Sequence, residues 1–523
     1  MDAPIHFNVY IYRHYSHQVL QNRYNLTVMK CYRLAWCLVL FALFVNINEA
    51  AMLDERNRSS SDSYDYGDAI SKAILFFEGQ RSGKLPSSQR MKWRGDSALS
   101  DGKLENVNLV GGYYDAGDNV KFLWPMAFTV SLLSWAAIEY QSAIDSVKQL
   151  NYLYSAIRWG SDFILLAHSS PTTLFTQVGD GNSDHQCWER PEDMDTPRTL
   201  YKVDANSPGT EVAAESAAAL SAASIVFRKA DANYSSRLLS QSKSLFDFAD
   251  KYRGSYSRSC PFYCSYSGYQ DELLWAASWL YKASGESKYM DYISSNQGWS
   301  QVASEFSWDN KFVGAQTLLA QEFYGEKKDQ LAKFRSNLES FICSVMPGSN
   351  SQQIRTTPGG LIYVRDSSNF QYVTSFTMVL FTFSNILKSN HIDGIQCGPT
   401  HFTASQITAF AKTQVDYILG NNPMNMSYMV GFGSKYPKHI HHRGSSIPSI
   451  KDHPAKVGCN DGQSDYYSST NPNPNTLVGA IVGGPDSNDQ FNDVRSDYSH
   501  SEPTTYMNAA FVSSLAALLP HVN

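Results

Sequence analysis

Little in this chain is both long and apolar. The run Leu34–Val45 spans twelve residues, short of the ~20 that a bilayer crossing takes, so no stable membrane insertion is expected. Basic charge is not in excess: 43 Lys and Arg stand against 49 Asp and Glu, the net charge is −6 and the pI is near 6.1. That balance argues against nucleic acid as a partner. Cysteine is scarce, with eight in 523 residues. Cys260 and Cys264 have no second close Cys or His pair nearby, which disfavours a zinc site. Alternating strand patterns are rare, and Gly360–Val364 is the clearest short exception. No linker rich in Pro, Ser or Thr divides the chain, and no module, a carbohydrate-binding one included, is expected after the last helix.

The N-terminus carries an address. Lys30 and Arg33 precede the Leu34–Val45 run, and Ala50 or Ala51 offers a cleavage site. Residues 1–51 therefore read as a leader with a signal peptide, its true start at Met1 or Met29, and a signal anchor is the alternative. Residues 52–523 read as a single monomeric domain. Export predicts oxidation of the six remaining cysteines, Cys187, Cys260, Cys264, Cys343, Cys397 and Cys459. Six cysteines allow 15 pairings, and spacing suggests only that Cys260 and Cys264 can close a tight local loop. Sequons at Asn57, Asn233 and Asn425 fit a secreted chain.

Helical periodicity recurs along the domain. It predicts helices near 67–79, 125–140, 152–168, 211–229, 236–252, 270–283, 287–295, 310–322, 327–345, 373–389, 403–419 and 503–519. Between them lie four long loops rich in Gly, Pro, aromatic and charged residues: 80–124, 169–210, 346–372 and 420–502. Long loops gathered at one end of a helical barrel form a natural cleft. Aromatics are plentiful, with 10 Trp, 32 Tyr and 27 Phe. Most serve core packing, but those in loops also suit a ligand with flat apolar faces and polar edges, such as a sugar ring.

Three clusters carry chemistry. In Gly111–Asn119, Asp115 and Asp118 sit three positions apart among glycines and aromatics. Such a turn either satisfies its own backbone or holds two carboxylates around a proton, a cation or a water. In Lys438–Arg443, an extended backbone puts His439, His441 and Arg443 on one face. Metal binding by the histidines, ligand binding through the Arg443 fork and a solvated basic patch all remain open there. In Phe491–Thr504, Pro503 suits a first helical turn and sets Glu502 at or just before the N-cap. The helix dipole would stabilise the charged carboxylate by ~0.3–1 kcal/mol. An ionised Asp118 facing it at ~8 Å, with an effective dielectric of ~20, would oppose that by about 2 kcal/mol.

Taken together, the clusters make the sequence resemble glycoside hydrolase family 9, the endo-β-1,4-glucanases, and most closely its secreted plant members. The likeness runs from about Tyr66 to Leu519. It rests on Phe76–Pro86, Gly112–Asp118, Cys187–Met194, His441-His442-Arg443 and the series Phe491, Asp493, Tyr498, Glu502 and Asn508. The resemblance implies an (α/α)₆ barrel, in agreement with the count of about twelve helices. It implies an inverting mechanism with Asp118 as general base, Asp115 holding the water and Glu502 as general acid. By the same resemblance His441 and Asp493 belong to the catalytic group, and Arg443 contacts substrate. Trp188, Trp308 and Tyr506 are further substrate-binding candidates. No cofactor is implied; calcium, bound by some members, is not placed. The expected partner is a β-1,4-glucan of the extracellular cell wall. Two other readings are a catalytically silent carbohydrate-binding or scaffold protein on the same barrel, and a metal-dependent hydrolase built on the histidines. The first would be signalled by loss of Asp115, Asp118 or Glu502, all of which are present.

Overall fold

Six helices that are apolar on nearly every face build the inner wall of the fold. In the computed structural model, residues 64–326 and 328–520 are described, so the leader and the Asn57 sequon lie outside them. The inner helices are α2 (Leu123–Glu139), α4 (Thr210–Phe227), α6 (Gln270–Ser284), α8 (Phe312–Glu326), α10 (Phe370–Ser389) and α12 (Thr505–Ala517). Each packs on the next, and α12 packs back on α2, which closes the ring. The outer helices are α1 (Tyr66–Gly79), α3 (Leu150–Ala167), α5 (Ala232–Lys251), α7 (Ser287–Ser295), α9 (Ala332–Val345) and α11 (Ala404–Leu419). They lean on α12, α2, α4, α6, α8 and α10 respectively. This is the expected (α/α)₆ barrel, and every predicted helix has its counterpart in it.

The two rings differ as their positions require. Helices α4 and α10 are long and apolar enough to cross a membrane, yet are 94% and 89% buried within the barrel. Their apolarity serves neighbours on all sides, and the alanines of α4 let those neighbours approach closely. The outer helices are amphipathic. In α5, Tyr234, Leu238, Ser242, Leu245 and Ala249 are buried at helical spacing, and Asp231 caps the first turn by accepting from the Tyr234 N–H. A capping box joins Thr403 and Gln406 at the start of α11.

The last helix begins two residues later than its sequence suggests. Thr504 is the N-cap, its hydroxyl accepting from Met507, so Pro503 and Glu502 precede the helix and Glu502 belongs to the loop.

Short strands decorate the barrel. β1 (Lys121–Phe122), β2 (His168–Ser170), β3 (Thr173–Val178) and β4 (Leu200–Asp204) form an antiparallel sheet centred on β3. β5 (Arg355–Thr356) pairs with β6 (Ile362–Tyr363), within the stretch that alternates in sequence. β7 (Gly394–Cys397) and β8 (Thr400–Thr403) form a hairpin. Disulfides join Cys187 to Cys459, Cys260 to Cys264 and Cys343 to Cys397. Asn233 and Asn425 are both exposed.

Where inner and outer helices meet, aromatic rings interlock; Phe376 of α10 meets Phe341 of α9 edge-on, with centroids 4.9 Å apart and both side chains fully buried. Phe376→Ala should therefore cost about 3–5 kcal/mol of stability. Urea unfolding followed by circular dichroism checks this, and a loss below about 1 kcal/mol would contradict the packing described.

Candidate active site

The segments leading into all six inner helices meet over one cavity of about 790 Å³. Asp115 and Asp118 precede α2, His185 and Trp188 precede α4, and Phe262 and Tyr263 precede α6. Trp308 precedes α8, Arg365 precedes α10 and Glu502 precedes α12. The barrel thus gathers groups up to 387 positions apart in sequence into one volume suited to a small ligand or part of a polymer.

The loop from Gly111 to Asn119 is a tight turn. The Asp118 N–H donates to the Asp115 carbonyl at 2.8 Å, and the Asp115 N–H to the Val120 carbonyl at 2.9 Å. Ala116 takes a left-handed φ of 47°. At Gly117 a Cβ would lie 2.3 Å from the His441 carbonyl, so only glycine fits. Gln80 donates to the Ala116 carbonyl at 2.7 Å and accepts from His442 at 2.7 Å. That fixes the proton of His442 on Nε2, while its Nδ1 accepts from the Ser445 N–H. His442 is buried and neutral, its pKa pushed down to about 3 by burial and by the charges of Arg94 and Arg443.

The three carboxylates differ in environment. Burial would raise the pKa of Asp118, but Arg443 at 2.6 Å and His185 at 2.9 Å outweigh it and hold the group well below the usual carboxylate range. Asp115 accepts from the Tyr263 hydroxyl at 2.7 Å, yet burial and then the Asp118 charge push it up to about 7. Glu502 accepts from the Gly117 N–H at 2.9 Å, and is pushed up to about 8 by burial first and Asp118 second. The facing charge acts as expected from sequence, but burial, not included in that reckoning, is the larger cause. At neutral pH one carboxylate is ionised and an opposed one is protonated. Such a pair can give a proton on one side and take one on the other.

Some residues singled out in the sequence do different work. Arg443 starts a helical turn, Arg443–Ser446, rather than continuing an extended strand. Its guanidinium donates to the carbonyls of Cys187, Gly117 and Asp184 and to the Asp118 carboxylate, and forms an ion pair with the Asp184 carboxylate at 3.2 Å. Four of its five N–H groups are bonded to the protein, so most of the fork is taken up without a ligand. Asp493 does not line the cavity; it accepts from the N–H groups of Lys438 and His439 and from the His439 ring. His439 is thereby turned away, leaving His441 as the histidine of that strand that faces the cavity. His441 donates from Nδ1 to the Arg495 carbonyl at 2.8 Å, and burial pushes its pKa down to about 4. Its Nε2 lone pair is left for an incoming hydroxyl.

Trp188 is only 3% exposed. The Arg443 guanidinium lies 4.9 Å over its ring and its Nε1 donates to Ser446, so it is a wall rather than an open stacking face. Trp308 is only partly buried and braced edge-on by Trp124 and Tyr263. Tyr506 lines the floor beside Tyr263 and Thr504. His185 and Tyr263, absent from the sequence reading, touch Asp118 and Asp115 directly. Each is an isolated residue whose partner is 67 or 148 positions away, so no local pattern marks it.

Among the described residues, two groupings have the residue types of a metal site. Asp118, Asp184 and His185 approach within 4.8 Å of one another, but one imidazole and the Arg443 guanidinium already bonded to Asp118 and paired with Asp184 take the place of oxygen donors. In the other, Cys187 and Cys459 are joined as a disulfide. Neither grouping fits calcium.

Comparison with known proteins places this geometry. The family model for glycosyl hydrolase family 9 matches residues 66–515. An endoglucanase of Phaseolus vulgaris is 78% identical over 483 residues, covering 92% of this chain and 97% of its own. Endoglucanase 20 of Arabidopsis thaliana is 68% identical, covering 88% and 96%. Among solved structures, an endoglucanase of the termite Nasutitermes takasagoensis superposes with a TM-score of 0.78 at 38% identity, covering 88% of this chain and 99% of that one. A C. cellulolyticum cellulase in complex with cellobiose gives 0.75 at 30% identity, covering 87% and 99%. With a matching family model over most of its length and a cleft built on opposed carboxylates, this chain belongs to glycosyl hydrolase family 9.

Proposed function

We propose that the cleft hydrolyses internal β-1,4-glucosidic bonds of cellulose and related cell-wall glucans, with inversion at the anomeric carbon. The observation that carries this reading is the opposed protonation of Glu502 and Asp118 across one cavity. Glu502 gives its proton to the glycosidic oxygen as the C1–O bond breaks. A water attacks C1 from the other face, and its proton passes to Asp118. Asp115, anchored by Tyr263, orients that water. An oxocarbenium-like transition state makes the attacking water acidic, so a carboxylate of low basicity suffices as its acceptor. Inversion requires the acid and base to stand ~6.5–9.5 Å apart, leaving room for the water. Arg443 and His185 keep Asp118 charged, and His441 accepts a sugar hydroxyl at Nε2. Trp308 and Tyr506 offer apolar faces to the sugar rings. No cofactor takes part. The names of the relatives support the reaction class, and the cellobiose complex of one supports a β-1,4-glucan as ligand.

We read the protein as a secreted monomer of the cell wall. Three disulfides and two exposed sequons support an oxidising, extracellular setting.

Three outcomes test the reaction. Asp118→Asn should lower kcat by about 10³-fold or more while retained glucan binding, measured by calorimetry, shows an intact cleft. Proton NMR of fresh cello-oligosaccharide products should show the α-anomer first; an initial β-anomer would exclude inversion. Glu502 must be protonated to act, so kcat/KM should hold below its pKa and fall as pH rises through about 8. An alkaline limb centred below pH 6 would mean that another group is the acid.

A further inference from the structure

The buried ion cluster beneath the Gly111–Asn119 loop is used by none of the steps above. Asp101 lies at its centre, 1% exposed and outside the cavity lining. The Lys121 ammonium donates to Asp101 at 2.8 Å, to the Leu109 carbonyl at 2.6 Å and to the Gly111 carbonyl at 3.0 Å, which spends all three of its N–H groups. The Arg198 guanidinium grips both oxygens of Asp101, at 2.8 and 2.9 Å, and its Nη1 donates to the Asn119 carbonyl at 2.6 Å. Gly111 and Asn119 are the first and last residues of the loop that carries Asp115 and Asp118. One carboxylate therefore ties together the two cations that hold the two ends of that loop. The same segment reaches the loop a second time, where the Tyr114 hydroxyl donates to Ser97 Oγ at 2.9 Å.

We propose that Asp101 is a positioning residue for the hydrolysis: acting through Lys121 and Arg198, it sets the spacing of the loop ends and so the direction of the Asp115 and Asp118 carboxylates. Two cations buried side by side repel, and among the described residues Asp101 is the single anion bonded to both. Without its charge Lys121 and Arg198 separate, and each is bonded to a backbone carbonyl at one end of the loop. A movement of ~1 Å at the carboxylates is enough to cost about 100-fold in rate. The loss falls on the chemical step, because Trp308, Tyr506 and His441 stand on other segments and continue to bind the sugar.

The inference rests on the glucanase reading, and the experiment separates the two. The parent, Asp101→Asn, Arg198→Lys and the remote buried variant Asp416→Asn are assayed on a soluble cello-oligosaccharide well below their melting temperatures. If the parent does not cleave, the glucanase reading fails and this inference with it. With an active parent, Asp101→Asn should lower kcat by about 10- to 100-fold with KM changed less than about threefold. Asp416→Asn, which loses the charge that pairs with Lys412 beside Tyr66, should lower the melting temperature and leave kcat within about twofold. Arg198→Lys keeps the charge but loses the fork, and should lower kcat by about three- to tenfold; it decides the matter if Asp101→Asn does not fold. A kcat within about twofold of the parent in the deciding variant, whatever its melting temperature, would overturn the proposal.

Discussion

The ion pair between Arg443 and Asp118 is what the rest of the cleft depends on. Arg443 is buried, and charges out of water are tolerated only when fully bonded. Its partners come from two segments: the Gly117 carbonyl and Asp118 from the loop before α2, and Asp184 and the Cys187 carbonyl from the loop before α4. Removing it would leave two neighbouring carboxylates, Asp118 and Asp184, with only the His185 imidazole bonded to Asp118. One of the pair would then take up a proton, as coupled carboxylates do. With the guanidinium in place Asp118 stays charged, and that charge holds the proton on Glu502. Arg443 itself pulls the Glu502 pKa down, a smaller effect than those of burial and the Asp118 charge.

Barrel geometry decides how strongly such effects act. The inner helices send their N-terminal ends toward the cavity, and the positive end of a helix favours a carboxylate by only ~0.3–1 kcal/mol. That pull lowers the pKa of Glu502 and Asp115, yet both are raised. Burial outweighs it because the loops between helices pack around both groups and reduce their contact with water. Glu502 stands two residues before the Thr504 cap, where the dipole falls off quickly. An acid placed one turn later would feel the helix more and the neighbouring aspartate less.

Helices were legible in the sequence because burial on one face, or on all of them, leaves a periodic record over nine to twenty residues. β6 lies in the one stretch whose alternation marks a strand, whereas β1 holds two residues and draws its stability from the partner strand. That Asp115, Asp118 and Glu502 come to one cavity was readable from motif order. His439 shows where pattern alone misleads: alternation puts it beside His441, but the Asp493 carboxylate captures its ring and turns it out. Arg443 shows a second limit, because the alternation ends at the helical turn it begins. His185 and Tyr263 leave no local mark, and neither do the pairings of Cys187 and Cys343. Such residues are specified by what the barrel brings next to them.

Asp115 and Asp118 are chemically identical and three positions apart, yet they carry different charge. The turn between them is the reason. Its single backbone bond, from Asp118 N–H to the Asp115 carbonyl, sends the two side chains to different neighbours: a phenol for Asp115, a guanidinium and an imidazole for Asp118. A phenol can donate one hydrogen bond but brings no charge, so it cannot offset burial, and Asp115 rises. Gly117 links both halves of this arrangement. Its carbonyl accepts from Arg443 and its N–H donates to Glu502, in a space that admits no Cβ. The N–H bond to Glu502 favours the ionised acid, and so opposes the burial that holds its proton. A general acid must keep its proton in the free enzyme yet release it during the reaction. One backbone amide already aimed at the carboxylate lowers the cost of that release without deciding it in advance.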